Sequence, residues 1–430
     1  MKFVHGLTSL KGSVVMPPDK SIAHRAAMFA SIADGVSVIE NYALAADPQT
    51  TLSCFRQLGV SIEQSGTTVT IHGVGRDGLQ KPEAPVDCGN SGTTARLLTG
   101  ILSGAGISAT LIGDDSLSSR TMRRIIGPLS AMGVSFEARD GDFLPMTIKP
   151  SGDRHLIPIR YELPIPSAQV KSCLLLAGLF GEQPTTVIEP VVSRDHTEKL
   201  LNLPVLLRDG AREIQTSRQT PIPLQSYAVP GDFSAAAFWL VAGSIYPGAE
   251  IVLENVGVNP TRTAAMDILR RMGADITLSN QRERVSEPVA DITVRYVGLT
   301  ATEILPEEVP NCIDELPALS VAMAFARGTS RFTGAGDLRH KESDRLAATA
   351  ALLRGAGADF QEHPDGLVVH GNPDFRPISA TYASLHDHRI AMSAAILAGR
   401  GKGKSGVKDA SCTAISYPSF WDDLSVLSVL

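Results

Sequence analysis

The residues best suited to chemistry stand at the starts of segments rich in alanine and leucine. In "PPDKSIAHR", Lys20, Ser21 and Arg25 follow two prolines and Asp19. Proline ends a strand because it cannot donate to the ladder, and Asp19 is a favourable N-cap, so a helix is predicted to begin near Lys20. The unpaired N–H groups and the dipole of a first helical turn already favour an anion, so a lysine placed there indicates that an anion compensates it. Ser21 and Arg25 are four residues apart and would share a helical face; a solvated first turn is the alternative.

A second stretch, "DCGNSGTTARLLTGIL", combines glycines and small hydroxyl residues at a predicted helix start. Glycine permits close approach to the backbone, whose N–H groups can form an anion-binding nest around Gly92. No Walker or Rossmann pattern is present, so an ordinary helix start is the alternative. Arg120, in "SSRTMRRIIGPL", stands just before the next helix and suits a ligand contact. Cys88 is predicted to be a buried small residue, since no histidine is near it in sequence to activate its thiol.

Short polar groups also open a strongly apolar segment in the middle of the chain. In "PIPSAQVKSCLLLAGLF", Ser167 and Gln169 precede the apolar run, where they suit the recognition of hydroxyl and carboxylate groups. Arg194 in "SRDHTEKLL" adds a cation nearby in sequence.

Carboxylates interrupt the apolar segment "NCIDELPALSVAMAFARG" at Asp314 and Glu315. A carboxylate at the entrance to a buried helix is a candidate general base, and the alternative is that Asp314 simply caps that helix. In "LRHKESDRLAA", Lys341 and Arg345 are four residues apart and are predicted to align on one helical face, with Glu342 close to them.

The stretch "HDHRIAMSAA" places Asp387, His388 and Arg389 at another predicted helix start. A metal site at His386 and His388 is disfavoured, because no third ligand has helpful spacing. The stretches together offer several cations, at least two carboxylates and a few neutral donors. That content suits small, multiply anionic substrates and acid–base chemistry.

The elements that carry these groups follow a repeated phrase of helix, glycine and short strand. It appears in "CFRQLGVSI", "PLSAMGVSF", "ILRRMGADI" and "LLRGAGADF", where the glycine is expected to be a left-handed C-cap. One longer interval leaves room for an irregular copy near residue 203, and a further copy falls near the C-terminus. The spacing indicates six α/β units of roughly seventy residues, three in each half, with a boundary near residue 230. The alternative is that such joints occur in any α/β protein.

Length and composition limit which classes of protein this chain can belong to. The 430 residues exceed one ordinary domain, and 43% hydrophobic with 20% charged residues fits a globular chain with a buried core. A net charge of −6 argues against nucleic-acid or anionic-membrane binding by the surface as a whole. No apolar run reaches transmembrane length, and the first residues lack a signal peptide. Five widely spaced cysteines without a CxxC pair predict a reducing compartment, so a cytoplasmic location is expected.

Nine stretches identify a family resemblance that covers residues 19–392 in order. They resemble the 5-enolpyruvylshikimate-3-phosphate synthases, and several are similar to the class II bacterial branch: "DKSIAHR", "GNSGTTAR", "SRTMRR", "SAQVKS", "SRDHTEK", "VPGDFSAAAF", "IDELP", "LRHKESDR" and "DHRIAM". The resemblance implies an α/β fold of two similar lobes, each of three βαβαββ-type repeats, which is the inside-out α/β barrel of enolpyruvyl transferases. Residues 19–229 would form the N-terminal lobe, and residues 1–18 with 230–430 the C-terminal lobe. The chain would cross between the lobes twice, and the lobes would close over the substrates.

The resemblance also implies a reaction and its participants. The enolpyruvyl group of phosphoenolpyruvate would pass to the 5-hydroxyl of shikimate 3-phosphate through a tetrahedral intermediate that loses phosphate. No metal or organic cofactor is implied, and a monomer with no nucleic-acid or membrane partner is expected. The implied catalytic residues are the base Asp314, the acid Glu342, and Lys20. Shikimate 3-phosphate would be held by Lys20, Ser21, Arg25, Ser167, Ala168, Gln169, Arg194, Asp314 and Lys341. Phosphoenolpyruvate would be held by Lys20, Gly92, Arg120, Gln169, Arg345 and Arg389.

The chain departs from the family pattern at a few positions. Pro18 stands where a glycine is usual, Thr121 where a proline is common, and Ile415 where many members carry a lysine near phosphoenolpyruvate. Some glyphosate-tolerant members carry alanine at the position of Gly92, so the glycine predicts that glyphosate enters. Two alternatives stay open: the related UDP-N-acetylglucosamine enolpyruvyl transferases, which need a catalytic cysteine loop unlike the motif around Cys88, and a non-catalytic anion-binding protein on the same scaffold.

Overall fold

The computed structural model describes residues 1–150, 156–224 and 226–429. The strands in chain order are β1 (Lys2–Val4), β2 (Ser9–Val15), β3 (Asp34–Glu40), β4 (Ser61–Ser65), β5 (Thr68–Val74), β6 (Val86–Asp87), β7 (Ala109–Ile112), β8 (Ser135–Arg139), β9 (Phe143–Lys149), β10 (Arg160–Glu162), β11 (Thr185–Glu189), β12 (Val205–Arg208), β13 (Ala211–Thr216), β14 (Ser226–Ala228), β15 (Glu250–Gly257), β16 (Asp275–Arg284), β17 (Glu287–Arg295), β18 (Glu303–Ile304), β19 (Gly328–Phe332), β20 (Asp359–His363), β21 (Gly366–Gly371), β22 (Thr381–Ala383), β23 (Ser405–Lys408) and β24 (Ser428–Val429).

The α-helices in chain order are α1 (Lys20–Ile32), α2 (Ala46–Gln57), α3 (Gly92–Ala105), α4 (Asp115–Ser118), α5 (Arg123–Ala131), α6 (Ala168–Gly178), α7 (His196–Leu200), α8 (Phe233–Ile245), α9 (Ala264–Arg271), α10 (Val309–Cys312), α11 (Leu316–Ala324), α12 (Arg345–Ala356), α13 (His388–Gly399) and α14 (Phe420–Leu427). Short 3₁₀ turns cover Ile313–Glu315, Gly336–His340 and Ala410–Ile415.

The described chain divides into two compact units. The N-terminal unit contains Pro18–Val229 and the short segment Arg284–Glu287. The C-terminal unit contains Met1–Pro17, Pro230–Glu283 and Pro288–Leu430.

The N-terminal unit is built on three four-stranded sheets of the same design. Their strand orders are β14-β3-β5-β4, β6-β7-β9-β8 and β10-β11-β13-β12. In each sheet the first two strands are parallel and the other pairs are antiparallel. A parallel pair needs a crossover, and a helix provides it in two of these sheets: α3 between β6 and β7, and α6 between β10 and β11. Helix α1 instead precedes β3, whose parallel partner β14 comes much later in the chain.

The C-terminal unit also has three sheets. Their strand orders are β16-β17-β15-β2-β24, β18-β19-β21-β20 and β1-β23-β22. Each again contains one parallel pair, formed by β2 with β15, β18 with β19, and β22 with β23. Helices α8, α11 and α13 precede the second strand of these pairs. Three sheets in each unit confirm the predicted mixed α/β fold of two similar halves.

The glycines predicted to end helices adopt the left-handed backbone conformation. Glycine has the lowest conformational energy there because it has no Cβ. Their φ angles are +87° at Gly59, +92° at Gly133, +96° at Gly273 and +79° at Gly357. The irregular copy near residue 203 uses Asn202, with φ of 52°, after α7. Asparagine is a tolerated left-handed residue, which explains how this copy ends its helix without glycine.

Six helices, each of which precedes one strand of a parallel pair, are buried on nearly every side. In α8, α11 and α13 every residue is buried, and burial is complete from Ile22 onward in α1, from Leu97 onward in α3 and from Val170 onward in α6. A helix that is apolar all round belongs in the core, so only its ends are left to meet a ligand. At the crossing of α3 and α6, a Cβ on Gly100 would lie 2.2 Å from the carbonyl oxygen of Cys173, so this contact requires glycine.

In the described residues, no helix is long and apolar enough to span a membrane.

Candidate active site

Helix α1 begins where the sequence predicts. The Asp19 carboxylate accepts a hydrogen bond from the backbone N–H of Ile22 at 2.9 Å and caps the helix. Lys20 is the first helical residue, and its Nζ lies 3.0 Å from Oδ2 of Asp47 on α2. The Lys20 side chain is 18% exposed, so a mostly buried ammonium group lies at the N-terminus of α1.

Arg25 joins three helices of the N-terminal unit. Its guanidinium is almost wholly buried and donates to the hydroxyls of Thr197, at 2.9 Å, and Ser172, at 2.8 Å. It also donates to the carbonyl oxygen of Ser21 at 3.1 Å, and both residues lie in α1, four positions apart. These contacts tie the start of α1 to α6 and α7.

Helix α3 begins at Gly92 with Ser91 as its N-cap, as the glycine-rich pattern predicts. A Cβ on Gly92 would lie 2.6 Å from Nη1 of Arg96 and 3.4 Å from Nη1 of Arg120. Two guanidinium groups therefore converge on the space that a side chain here would occupy. Arg120 is held in place by donating to the backbone carbonyl of Asn90 at 2.7 Å and to its side-chain oxygen at 3.0 Å.

Arg96 is a member of this group to which the sequence patterns assigned no role. It donates to Oε1 of Gln169 at 3.0 Å and to the carbonyl oxygen of Thr121 at 3.1 Å. Gln169 in turn donates to the hydroxyl of Thr93 at 3.2 Å. The signal was its spacing, because Arg96 lies four residues after Gly92 and so on the same helical face.

Helix α6 begins at Ala168, and its N-cap Ser167 accepts from the N–H of Val170 at 3.4 Å. Gln169 in its first turn reaches the start of α3, so the two predicted ligand-binding helix starts lie together within this unit. Arg194 is half-buried and precedes α7 by two residues.

A buried ion cluster supports the segment that carries Arg194. Lys171 is completely buried, and its Nζ lies 2.8 Å from Glu189 and 2.7 Å from Glu198. It also donates to the carbonyl oxygen of Ser193 at 3.3 Å. Buried charges are tolerated only when paired, so this cluster fixes the backbone next to Arg194.

In the C-terminal unit, Asp314 lies in a 3₁₀ turn ahead of α11 and faces several cations. Its Oδ1 is 3.2 Å from Nζ of Lys341 and 3.0 Å from Nη1 of Arg345. Arg389 donates to the Asp314 carbonyl oxygen at 2.9 Å and approaches its Oδ2 at 3.8 Å. Glu315, not Asp314, occupies the N-cap position of α11, so the alternative in which Asp314 caps that helix is wrong.

Arg345 contacts three carboxylates in this group. The guanidinium, 1% exposed, contacts Asp387 at 2.8 Å, Glu342 at 2.6 Å and Asp314 at 3.0 Å. Burial lowers the pKa of Arg345, but the surrounding carboxylates outweigh burial and raise that pKa above its ordinary value. Burial likewise raises the pKa of Asp387, but Arg345 outweighs it and the pKa is lowered.

The predicted helical face shared by Lys341 and Arg345 is wrong. Asp344 accepts from the N–H of Ala347 at 2.9 Å and caps α12, so the helix begins only at Arg345. Lys341 precedes it in extended conformation. The two cations nevertheless meet, because both contact Oδ1 of Asp314.

Helix α13 begins as predicted, with Asp387 as its N-cap and His388 as its first residue. Arg389 is held by Glu315, whose Oε1 accepts from Nη1 at 3.2 Å and from the Ser234 hydroxyl at 2.5 Å. Glu315 is 1% exposed and received no role from the sequence beyond its proximity to Asp314. It links the starts of α8, α11 and α13.

Two alternative chemistries find no support among the described residues. Cys88 is fully buried, and a hydrogen bond with the Cys54 thiol together with burial raises its pKa, which makes it a poor nucleophile. In residues 1–150, 156–224 and 226–429, no group of three or more His, Cys, Asp or Glu is placed to hold a metal ion.

The candidate residues of each unit thus stand at or just before helix N-termini: those of α1, α3, α5, α6 and α7 in the N-terminal unit, and those of α11, α12 and α13 in the C-terminal unit. The N-terminal unit supplies mainly cations, an amide and hydroxyls. The C-terminal unit supplies two carboxylates paired with cations. Cations and helix N-termini bind anionic groups, and a carboxylate hydrogen-bonded to a cation is positioned for proton transfer.

Known proteins match this chain over almost its whole length. The family model described as EPSP synthase (3-phosphoshikimate 1-carboxyvinyltransferase) matches residues 4–424. A 3-phosphoshikimate 1-carboxyvinyltransferase of Salinibacter ruber is 47% identical over 98% of this chain and 98% of its own length. The protein of that name from Geobacillus kaustophilus is 43% identical over 99% of this chain and 100% of its own length.

Solved structures of enolpyruvyl transferases have a similar fold. An EPSP synthase from Acinetobacter baumannii superposes with a TM-score of 0.86 at 39% identity, covering 99% of this chain and 98% of that chain. The enolpyruvyl transferase NikO from Streptomyces tendae matches with a TM-score of 0.78 over 99% of this chain and 96% of its own. At 17% identity, NikO is similar in fold alone.

Proposed function

The chain belongs to the EPSP synthase family, and on this premise we propose how its residues divide the work of the family's reaction. The enzyme transfers the enolpyruvyl group of phosphoenolpyruvate to the 5-hydroxyl of shikimate 3-phosphate and releases phosphate, a step in aromatic amino acid biosynthesis. The observation that carries the proposal is the guanidinium of Arg345, which contacts both Asp314 and Glu342.

In the addition step, Asp314 takes the proton of the 5-hydroxyl as that oxygen bonds to C2 of phosphoenolpyruvate. Glu342 donates a proton to C3, so the methylene becomes a methyl group and a tetrahedral intermediate forms. In the elimination step, Glu342 takes a proton back from C3, the C2–O bond to phosphate breaks, and the departing phosphate takes the proton held by Asp314. Each proton transfer contributes on the order of 10²–10⁴-fold.

The phosphoenolpyruvate contacts come from Lys20, Gly92, Arg120, Gln169, Arg345 and Arg389. Arginine presents a planar fork that matches carboxylate and phosphate oxygens. Arg120 and Arg389 are already held by the Asn90 oxygens and by Glu315, so little side-chain freedom is lost when a ligand binds. Lys20 offsets the charge that develops between the substrates.

Shikimate 3-phosphate is held by Lys20, Ser21, Arg25, Ser167, Ala168, Gln169, Arg194, Asp314 and Lys341. Support comes from the contacts of Arg25 with Ser172 and Thr197, which bring the α1, α6 and α7 starts together. Arg96 is added here as a positioning residue, because it fixes the side-chain oxygen of Gln169. The amide nitrogen of Gln169 is then directed at the hydroxyl of Thr93, at the start of α3.

Glyphosate is proposed to compete with phosphoenolpyruvate. Gly92 leaves open the space next to Arg96 and Arg120 that a methyl group would fill. We also propose that the enzyme acts as a cytoplasmic monomer, as the resemblance implies.

The test is phosphate release from phosphoenolpyruvate by the purified enzyme, with and without shikimate 3-phosphate. The proposal expects release only when both substrates are present, and loss of release in Asp314→Asn. Glyphosate is then titrated at several phosphoenolpyruvate concentrations, and the expected inhibition is competitive. Full release by Asp314→Asn would remove Asp314 as the base, and no inhibition at millimolar glyphosate would remove the glyphosate proposal.

A further inference from the structure

Helix α2 contacts α1 twice in the same register. Lys20 Nζ lies 3.0 Å from Asp47, and His24 Nδ1 lies 2.6 Å from the hydroxyl oxygen of Thr51. Lys20 and His24 are four residues apart on α1, and Asp47 and Thr51 are four apart on α2, so each pair occupies one helical face. Neither α2 residue belongs to the proposed substrate contacts.

The contact continues from α2 into α3. The Thr51 hydroxyl lies 2.7 Å from that of Thr94, which donates to the Ser91 hydroxyl oxygen at 2.8 Å. Ser91 is the N-cap of α3 and also accepts from the N–H of Thr94 at 3.1 Å. His24, Thr51, Thr94 and Ser91 are all fully buried.

The direction of this chain follows from the ring of His24. Burial, and then the charges of Lys20 and Arg25, hold the pKa of His24 well below its ordinary value, so the ring is neutral. Its Nε2 is buried and has no hydrogen-bond partner in the described part of the chain. An orphaned buried N–H is rarer and costlier than an orphaned acceptor, so the proton belongs on Nδ1. His24 then donates to Thr51, Thr51 to Thr94, and Thr94 to Ser91.

We propose that α2 is the positioning element of the phosphoenolpyruvate site, and that Thr51 holds the first turn of α3, with Gly92, in register with Lys20 on α1. The inference rests on the proposed function, since Lys20 and Gly92 are assigned to phosphoenolpyruvate there. Low-dielectric burial makes a satisfied hydroxyl chain rigid, which is what a positioning element needs. A role limited to satisfying His24 would stabilise the fold without affecting the substrate contacts.

Steady-state kinetics of the full-length enzyme separate these roles. Thr51→Val removes the hydroxyl at nearly constant volume and is expected to raise KM for phosphoenolpyruvate roughly five- to tenfold, the scale of one buried hydrogen bond. KM for shikimate 3-phosphate should move less, and Thr51→Ser should restore the parent value. The matched control is Thr99→Val on α3, whose buried hydroxyl donates only to its own helix at Ala95 and should leave both KM values unchanged.

Thr94→Val breaks the chain one link further on, and it decides the question if Thr51→Val does not fold. Because both act through one chain, the double variant should cost no more than the larger single change. The inference is overturned if the Thr51 and Thr94 variants lower the melting temperature but match Thr99→Val in KM, or if their effects on KM add. Failure of the parent enzyme to release phosphate would instead count against the proposed function.

Discussion

Nη1 of Arg345 lies 3.0 Å from Oδ1 of Asp314, and Nη2 of the same guanidinium lies 2.6 Å from Oε2 of Glu342. One buried cation therefore holds both carboxylates proposed to transfer protons. Its third partner, Asp387, caps α13, so the arrangement is anchored to the helix that also carries Arg389.

Arg345→Lys is expected to lower kcat/KM for phosphoenolpyruvate by roughly 100-fold, the scale of losing one oriented donor at a charged site. Lysine keeps the charge, but it has no planar fork to reach Asp314, Glu342 and Asp387 together. Arg327→Lys is the matched control, because Arg327 is exposed and lies in the same unit. Equal kinetics in the two variants would show that the fork geometry of Arg345 is not needed.

Gly92→Ala is expected to raise KM for phosphoenolpyruvate and to weaken glyphosate inhibition. The added methyl would lie 2.6 Å from Nη1 of Arg96, so that side chain must shift, and its contact with Gln169 shifts with it. Gly127→Ala is the control: it lies within α5, and a Cβ there meets nothing within 4 Å. That variant should keep parent kinetics and gain about 0.5–1 kcal/mol of stability from the better helix former.

Lys171→Met is expected to lower the free energy of unfolding by about 3–5 kcal/mol, because it leaves the buried carboxylate of Glu198 without its cation and leaves Glu189 with only Arg212, at 3.6 Å. Chemical denaturation measures the change. Lys149→Met is the control, since Lys149 pairs with Glu137 at the surface, where an ion pair contributes about 0–1 kcal/mol. Similar losses in both variants would contradict the view that the buried cluster is a strong anchor.

The buried His24 is expected to make stability fall as the pH drops below its unfolded-state pKa of roughly 6.5. Its pKa is lowered in the folded protein, so between the two pKa values the unfolded chain binds more protons, and acid favours unfolding there. His24→Asn should flatten this part of the profile of unfolding free energy against pH. The half-exposed His72 provides the control, and a His72→Gln profile that flattens equally would exclude His24 as the source.

Local signals in the sequence were sufficient for the helix starts. Asp19, Ser91, Ser167 and Asp387 each sit at an N-cap position, and capping depends on neighbours a few residues away. The same locality explains the error at Lys341, because a four-residue spacing to Arg345 does not reveal that Asp344 caps the helix and makes Arg345 its first residue.

The contacts that support the site residues could not be predicted from local sequence patterns. Lys171 looks like an interruption of an apolar helix until the fold brings Glu189 and Glu198 to it from elsewhere in the unit. The chain from His24 through Thr51 and Thr94 joins three helices, and a threonine inside a helix carries no local sign of a distant partner. Pairings of this kind depend on tertiary packing, which spacing along one helix does not encode.

The most direct test of the central claim is exchange of solvent hydrogen into C3 of phosphoenolpyruvate. In heavy water with shikimate 3-phosphate, reversible addition makes and unmakes a methyl group, so recovered phosphoenolpyruvate should carry deuterium at C3. Glu342→Gln should lose this exchange together with about 10²–10⁴-fold in kcat, while the exposed Glu307→Gln should keep both. Undiminished deuterium incorporation by Glu342→Gln would contradict the role proposed for Glu342.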